Sequence, residues 1–156
     1  MAARRDARGY TLAELVIVMG IVAILAGVSA FLFLNFVDTS TVRAAADELA
    51  SVVARARQMA IARNTRVCVE QTGAVVRYRV GPAGCAEAIW IDEMTAADGS
   101  IALANGLQVS GATANVVFNR LGAADTTGTY TVQYQTTGHT GSVAVSSTGR
   151  VSASVP

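Results

Sequence analysis

The feature that most constrains this fold is an uncharged apolar run near the start of the chain. Residues 15–37 contain no charged side chain, and only Ser29 and Asn35 are appreciably polar. At about 1.5 Å per residue, a helix of this length spans roughly 35 Å, enough to cross the hydrocarbon core of a bilayer. A buried helix of a water-soluble protein rarely exceeds about 14 apolar residues. The run therefore predicts a transmembrane helix.

The charges around this run predict its orientation. Arg4, Arg5 and Arg8 precede the run, and cationic residues tend to stay on the cytoplasmic side of a membrane. Everything after Val37 is therefore expected to be exported. This exported part holds nine arginines and nine acidic residues, and the net charge of the whole chain is +1. Such a balance gives no electrostatic footprint for nucleic acid.

The leader differs from an ordinary secretory signal, in which the cleavage site follows the apolar segment. Here the basic leader 1–9 ends in Gly9, the apolar segment follows, and the junction reads Arg8-Gly9-Tyr10-Thr11-Leu12-Ala13-Glu14-Leu15-Val16-Ile17. This junction closely resembles the class III signal of type IV prepilins and type II secretion pseudopilins, although Tyr10 stands where phenylalanine is commoner. The resemblance implies that a prepilin peptidase cleaves after Gly9, that the new amino group of Tyr10 is methylated, and that the helix remains on the mature chain.

Glu14 is the one acidic residue at the start of the predicted span. A carboxylate in such a place costs a few kcal/mol and is a candidate functional residue. The resemblance implies that Glu14 acts in assembly by pairing with the N-terminal amino group of a neighbouring subunit, which would fix the axial register. The alternative is a carboxylate that lies at the headgroup level without a partner.

Beyond the apolar run, the hydrophobic period of a helix continues. Apolar residues recur at steps of three and four between Val42 and Ala60, as they do in an amphipathic helix. We expect one helix from about Tyr10 to Asn64, with a transmembrane half (10–37) and an amphipathic half (38–64). Many members of the pilin superfamily carry a proline within the span, whereas this chain has Gly20 and Gly27 but no proline there.

After residue 64 the pattern changes to short β-branched runs that glycine-rich turns separate. Strands are expected at residues 66–70, 75–80, 88–92, 100–104, 107–110, 115–119, 129–135, 142–146 and 150–154. The dipeptide Asn105-Gly106 between two of these runs predicts a hairpin. The expected fold class is α+β: a type IV pilin-like protein, with the long helix packed on an antiparallel β-sheet head formed by residues 65–156.

Three segments resemble the GspH/FimT group of minor pseudopilins and minor pilins. They are residues 54–68, where the helix passes into the first strand, and residues 117–122 and 147–151 of the head. Cys68 and Cys85 are the only cysteines, and an even pair in an exported domain predicts a disulfide. Two cysteines without histidine partners make a poor zinc site, which needs four ligands.

The sequence contains no recognisable set of catalytic residues. We therefore expect that the protein is not an enzyme and binds neither a cofactor nor a metal. His139 is the single histidine, and the common nucleophile, phosphate-binding and zinc-protease motifs are missing. Asp92, Glu93 and Asp98 could contribute to a calcium loop, but their spacing fits no EF-hand-type loop, which favours solvated carboxylates. Trp90 is interpreted as part of the core or its edge.

The resemblance implies a minor pilin or pseudopilin that helps to start or cap a filament of a type IV pilus or a type II secretion system. Its implied partners are other pilin subunits, the prepilin peptidase, the bacterial inner membrane and the assembly platform, with the head in the periplasm. The alternative is a minor pilin that captures DNA for uptake. The candidate DNA contacts are Arg150 near the C-terminus and Arg77 and Arg79, which alternate onto one strand face.

Overall fold

A computed structural model describes residues 11–103, 108–134 and 138–156 of the chain, with the backbone alone for residues 30–32, 34 and 35. The chain divides into two compact units, Met1–Val37 and Asp38–Pro156. Helix α1 (Leu12–Ala62) is 51 residues long and contributes to both units. In its described residues, the second unit also contains nine strands and a 3₁₀ turn at Gly84–Ala86.

Helix α1 ends in a motif that the sequence supports directly. Asn64 adopts a positive φ of 50°, which asparagine tolerates better than most residues. The Thr65 amide donates to the Ala60 carbonyl at 3.1 Å, and the Asn64 amide donates to the Ile61 carbonyl at 3.2 Å. These two bonds form a Schellman motif, which satisfies carbonyls that the last turn would leave without partners. The helix therefore stops two residues before the predicted end.

The part of α1 in the second unit buries one face. Fully or almost fully buried residues recur at three- and four-residue steps, and they are Val42, Ala45, Ala46, Leu49, Val53, Ala56 and Ala60. Small alanines in this stripe allow the helix to approach the sheets closely. The predicted amphipathic period is thus the core face of the helix.

The strands form two antiparallel sheets. Their bounds are β1 (Val67–Thr72), β2 (Val75–Val80), β3 (Ser100–Ile101), β4 (Gln108–Ala112), β5 (Val116–Phe118), β6 (Ala124–Thr126), β7 (Gly128–Gln133), β8 (Thr140–Val145) and β9 (Val151–Ser154). One sheet has the order β3-β2-β1-β5-β6 and the other the order β4-β7-β8-β9. The core between them and α1 contains alternating residues of each sheet, among them Val69, Tyr78, Phe118 and Tyr130. The predicted α+β fold with a helix on an antiparallel head is confirmed.

Three details of the strand prediction were wrong. Residues 88–92 form no strand, and only Ile89 makes an isolated bridge to Arg79. Strand β6 was missed because Ala124–Thr126 carries an aspartate and little apolar alternation. The Asn105-Gly106 dipeptide lies outside the described residues, but the strands before and after it, β3 and β4, belong to different sheets. The expected hairpin between those two strands is therefore not formed.

Candidate functional site

The start of α1 is held by a reciprocal capping box. Both the Thr11 amide and the Thr11 hydroxyl donate to Oε2 of Glu14 at 3.0 Å. In return, the Glu14 amide donates to the Thr11 hydroxyl at 3.2 Å. Threonine at the N-cap and glutamate three residues later satisfy amides that the first turn leaves without intrahelical acceptors. Glu14 thus has a local structural role that the sequence analysis did not assign to it.

The capping box engages only one oxygen of the Glu14 carboxylate. Both hydrogen bonds from Thr11 end on Oε2, and the side chain is exposed. The carboxylate can therefore accept a further donor through Oε1 without breaking the cap.

The predicted processing residues Gly9 and Tyr10 lie outside the described residues.

An exposed apolar span follows the cap. The window Leu12–Ser29 has a mean hydropathy of 2.4, and none of it is buried. The Ser29 hydroxyl, a polar group near the end of this window, donates to the Leu25 carbonyl at 2.7 Å. A backbone bonded within the helix and side chains that are apolar on all sides suit a lipid environment or the packing of other helices.

The predicted disulfide is formed. Cys68 on β1 and Cys85 in the 3₁₀ turn are bonded, with their Cα atoms 5.0 Å apart. Cys68 is fully buried on the sheet, so the bridge fastens the turn after β2 to the middle of the head. It closes a loop across 17 positions of sequence.

Two of the three candidate DNA contacts are engaged in ion pairs. Arg77 lies 2.8 Å from Asp98, and the Nε atom of Arg79 lies 2.8 Å from Glu70. Hydrogen bonds from Ser100 and from Arg77 hold the pKa of Asp98 below its usual range. The guanidinium of Arg79 also donates to a backbone carbonyl, that of Glu87. These two arginines therefore share a strand face, as predicted, but that face also carries their acidic partners.

Arg150, the third candidate, lies in a groove with an arginine that the sequence analysis did not single out. The groove has a volume of about 490 Å³ between α1 and the turn that joins β8 to β9. Its lining consists of Ala54, Arg57, Gln58, Ile61, Gly149, Arg150 and Val151. No acidic side chain is among them. The groove therefore combines two guanidinium groups with apolar walls.

Two glycines make the space that holds Arg57. Nε of Arg57 donates to the Gly122 carbonyl at 2.8 Å. Gly122 and Gly149 have φ values of 81° and 78°, a region that favours glycine. A Cβ atom at Gly149 would lie 1.9 Å from the Gly122 carbonyl oxygen and 3.1 Å from Nε of Arg57. No sequence pattern links Arg57 to Gly122, which is 65 positions away.

Two of the three candidate calcium-loop residues, Asp92 and Asp98, are paired with different arginines. Asp92 accepts from Arg55 at 2.8 Å, whereas Asp98 accepts from Arg77. In the described ranges, no three histidine, cysteine, aspartate or glutamate side chains gather as metal ligands would. Trp90 packs at the edge of the core, with the Arg63 guanidinium 3.9 Å above its ring.

Comparison with known proteins identifies two segments. The family described as type II transport protein GspH matches residues 45–149, which is well over half of the chain. The prokaryotic N-terminal methylation motif matches residues 4–30. No curated protein matches the chain.

Two crystal structures of the type IV minor pilin FimU from Pseudomonas aeruginosa PAO1 are similar to this chain at 15% sequence identity. The match to the first covers 70% of this chain and 90% of that one, with a TM-score of 0.46. The match to the second covers 76% and 92%, with a TM-score of 0.49. Because the GspH match covers well over half of the chain, the chain belongs to the GspH family of structural minor pilins and pseudopilins, and its residues 4–30 carry the prokaryotic N-terminal methylation motif.

Proposed function

We propose that this protein is a minor subunit of a type IV pilus or a type II secretion pseudopilus that helps to start or cap the filament. The observation that carries the proposal is the exposed apolar span Leu12–Ser29, in the same helix whose later residues form the core of the head. A helix with this composition anchors the subunit in the bacterial inner membrane before assembly and packs against other subunits afterwards.

The methylation motif over residues 4–30 supports processing of the chain as a prepilin. A prepilin peptidase removes residues 1–9 after Gly9, and the amino group of Tyr10 is methylated. Residues 10–37 then form the transmembrane half of the helix, residues 38–64 its amphipathic half, and residues 65–156 the periplasmic head. The disulfide between Cys68 and Cys85 supports this topology, because such bonds persist in the oxidising periplasm.

Glu14 acts in assembly through its carboxylate. Its Oε1 atom accepts from the N-terminal amino group of a neighbouring subunit while Oε2 keeps the contacts with Thr11. Pairing the two charges removes the cost of holding either one in an apolar environment. That cost is relieved only when the subunits are in register along the filament axis.

The mass of the mature protein tests this proposal. Intact-mass analysis of protein purified from membranes of the native host should give a chain that starts at Tyr10 and carries one N-methyl group. A Gly9→Leu variant is the matched control and should retain its leader. An unprocessed wild-type chain, or one cut beyond the apolar run, would contradict the prepilin assignment.

Deletion of the gene in the native host separates the two machines. Loss of surface pili with normal protein secretion supports the pilus, whereas loss of secretion with normal pili supports the pseudopilus. For a subunit that starts filaments, we expect fewer filaments of normal length. An unchanged number of filaments would contradict a role in initiation.

DNA capture is supported less well as a function. Arg77 and Arg79 are neutralised by Asp98 and Glu70, which leaves Arg150 as the unpaired member of the predicted set within the described residues. Affinity driven by phosphate contacts grows with the number of cations that displace counterions, so few contacts give weak binding with a shallow salt slope. Titration with duplex DNA at two salt concentrations tests this. Sub-micromolar affinity that is lost in Arg150→Ala would make DNA uptake the leading function.

A further inference from the structure

The groove beside Arg57 has the chemistry of a site for an acidic, partly apolar peptide. Nε of Arg57 is fixed by the Gly122 carbonyl, and its two terminal nitrogens have no acceptor within the described residues. Arg150 likewise has no acidic partner in the described part of the chain. Ile61 lies in the groove and is 49% exposed. A positioned guanidinium, a second cation and an apolar wall suit a carboxylate with apolar neighbours.

The head presents a segment of that kind elsewhere on its surface. In the acidic loop, residues 91–94, Ile91 is 57% exposed and Met94 is 70% exposed. Glu93 between them is exposed and makes no hydrogen bond or ion pair within the described residues. Asp92 holds the loop in place, because its carboxylate accepts from Arg55 at 2.8 Å and from the Met94 amide at 2.9 Å.

The groove and the acidic loop lie on different flanks of α1 at the same height. The groove is lined by α1 positions 54, 57, 58 and 61, whereas the acidic loop contacts α1 through Arg55, whose guanidinium donates to Asp92 and to Met94. At 3.6 residues per turn, Arg55 and the centre of the groove positions are roughly 110° apart about the helix axis. A copy that uses both flanks can therefore bind one neighbour on each side.

We propose that the groove of one copy binds the acidic loop of a second copy. Glu93 of the second copy pairs with Arg57 and Arg150, and Ile91 and Met94 pack against Ile61. The contact joins two different patches, so it is heterologous and does not close on itself as a two-fold dimer would. The inference rests on the proposed function, since it describes a lateral contact between subunits of one filament.

Nucleic acid fits the groove less well than this peptide does. The groove supplies two cations and several apolar side chains. A protein surface that binds a nucleic-acid backbone instead carries a row of cations along the phosphates. The exposed apolar pair of the acidic loop provides a partner for Ile61 that phosphate groups do not. DNA binding at the groove is nevertheless one outcome that the experiment distinguishes.

Cross-linking between differently tagged full-length chains in host membranes tests the inference. One chain carries Gln58→Cys in the groove, and the other carries Ala97→Cys beside the acidic loop; both positions are exposed. A bismaleimide reagent should join the two chains. The matched control replaces Ala97→Cys by Thr72→Cys, an exposed position on neither surface, and should give no product.

Charge reversal identifies the contact. Arg150→Glu in the groove chain should lower the cross-linked fraction roughly fivefold or more, as reversing one partner of an interfacial ion pair does. Glu93→Arg in the loop chain should restore it. A product without this rescue, or no product at all, overturns the inference. DNA binding that is lost in Arg57→Ala and Arg150→Ala, without any cross-link, also overturns it and assigns the groove to phosphate.

A parallel measurement separates this inference from the proposed function. The wild-type chain is scored for incorporation into sheared filaments. Normal incorporation without the cross-link refutes the lateral contact alone. A chain that never enters filaments refutes the proposed function, and the cross-link in membranes then decides the inference independently.

Discussion

The hydroxyl of Tyr130 donates a 2.7 Å hydrogen bond to the carbonyl of Val69 and so joins the two sheets of the head. The same hydroxyl accepts from the Val116 amide at 3.0 Å. Val69 and Val116 are partners in the β1–β5 ladder, whereas Tyr130 lies on β7 of the other sheet. One phenol from the second sheet thus bridges two paired strands of the first, in the fully buried core.

Removing this bridge should destabilise the head. Tyr130→Phe leaves the Val116 amide and the Val69 carbonyl buried without this partner, which costs about 2 kcal/mol. Urea unfolding of a fragment that comprises the second unit, Asp38–Pro156, measures the loss. Tyr134→Phe is the matched control, because that phenol packs at the core edge and its hydroxyl has no partner in the described residues. Equal losses in both variants would contradict a special role for Tyr130.

Alkaline pH should lower the stability of the head, because two of its tyrosines are buried. Burial raises the pKa of Tyr78 and of Tyr130 above the ordinary value. Both folded-state pKa values are raised, so the stability they contribute is complete below about pH 10, where unfolded tyrosine titrates, and declines as the pH rises further. The chain contains no lysine to titrate in this range.

Urea midpoints of the head at several pH values between about 8 and 11 check this, since unfolded tyrosine titrates near 10. Substituting phenylalanine for both buried tyrosines should flatten the decline above pH 10. A decline that is just as steep in the double variant would show that other groups cause it.

Reduction of the disulfide should lower stability without unfolding the sheets outright. The bridge between Cys68 and Cys85 closes a loop across 17 positions, and a loop of this size contributes about 3 kcal/mol through the entropy of the unfolded chain. Urea unfolding with and without a reductant measures the difference. A double Cys68→Ala, Cys85→Ala variant should be insensitive to the reductant. An unchanged wild-type midpoint after complete reduction would contradict the stabilising role.

Glu14 caps the helix and is proposed to act in assembly, and a pair of substitutions separates these two roles. Glu14→Gln keeps an oxygen that accepts from Thr11 but removes the charge, whereas Glu14→Ala removes both. Both variants should insert in the membrane and fold their heads, and neither should be incorporated into filaments. Quantifying each variant in membranes and in sheared filaments tests this. Normal incorporation of Glu14→Gln would show that the cap, not the charge, is what assembly requires.

The glycine pair beside Arg57 should be intolerant of a methyl group. Gly149→Ala places a Cβ atom 1.9 Å from the Gly122 carbonyl oxygen, so the backbone must shift. Gly73→Ala is the matched control, because Gly73 also has a positive φ but nothing within 4 Å of its added Cβ. Gly149→Ala should therefore destabilise the head by about 2 kcal/mol more than the control, as overpacking does. Similar midpoints for the two variants would show that the contact relaxes freely.

The parts of the fold that could be predicted are those with local signals. The limits of α1 follow from the capping residues Thr11 and Asn64 and from the buried stripe between Val42 and Ala60. Strands β1 and β2 are adjacent in sequence and pair along their whole length. For α1, β1 and β2, the hydrophobic period of the sequence and the residues at the ends of each element favour the same structure as the packing does.

The parts that could not be predicted depend on distant contacts. Residues 100–101 and 108–112 are neighbours in sequence, but β2 pairs with the first and β7 with the second. The Asn-Gly dipeptide between them is a local signal for a hairpin. The two strands nevertheless pair with distant strands and not with each other. The groove could not be predicted either, because the position of Arg57 depends on the carbonyl of Gly122 and on the space beside Gly149. These three residues are too far apart in sequence to form a recognisable motif.

The position of the disulfide along the chain has a consequence for biogenesis. Both cysteines precede strands β3 to β9, and the segment between them contains only the β1–β2 hairpin and the turn that follows it. Under the proposed export behind an N-terminal anchor, Cys68 and Cys85 would leave the cytoplasm before the residues of strands β3 to β9. The bridge can therefore close on a hairpin that is already paired, and the later strands add to a covalently fixed template.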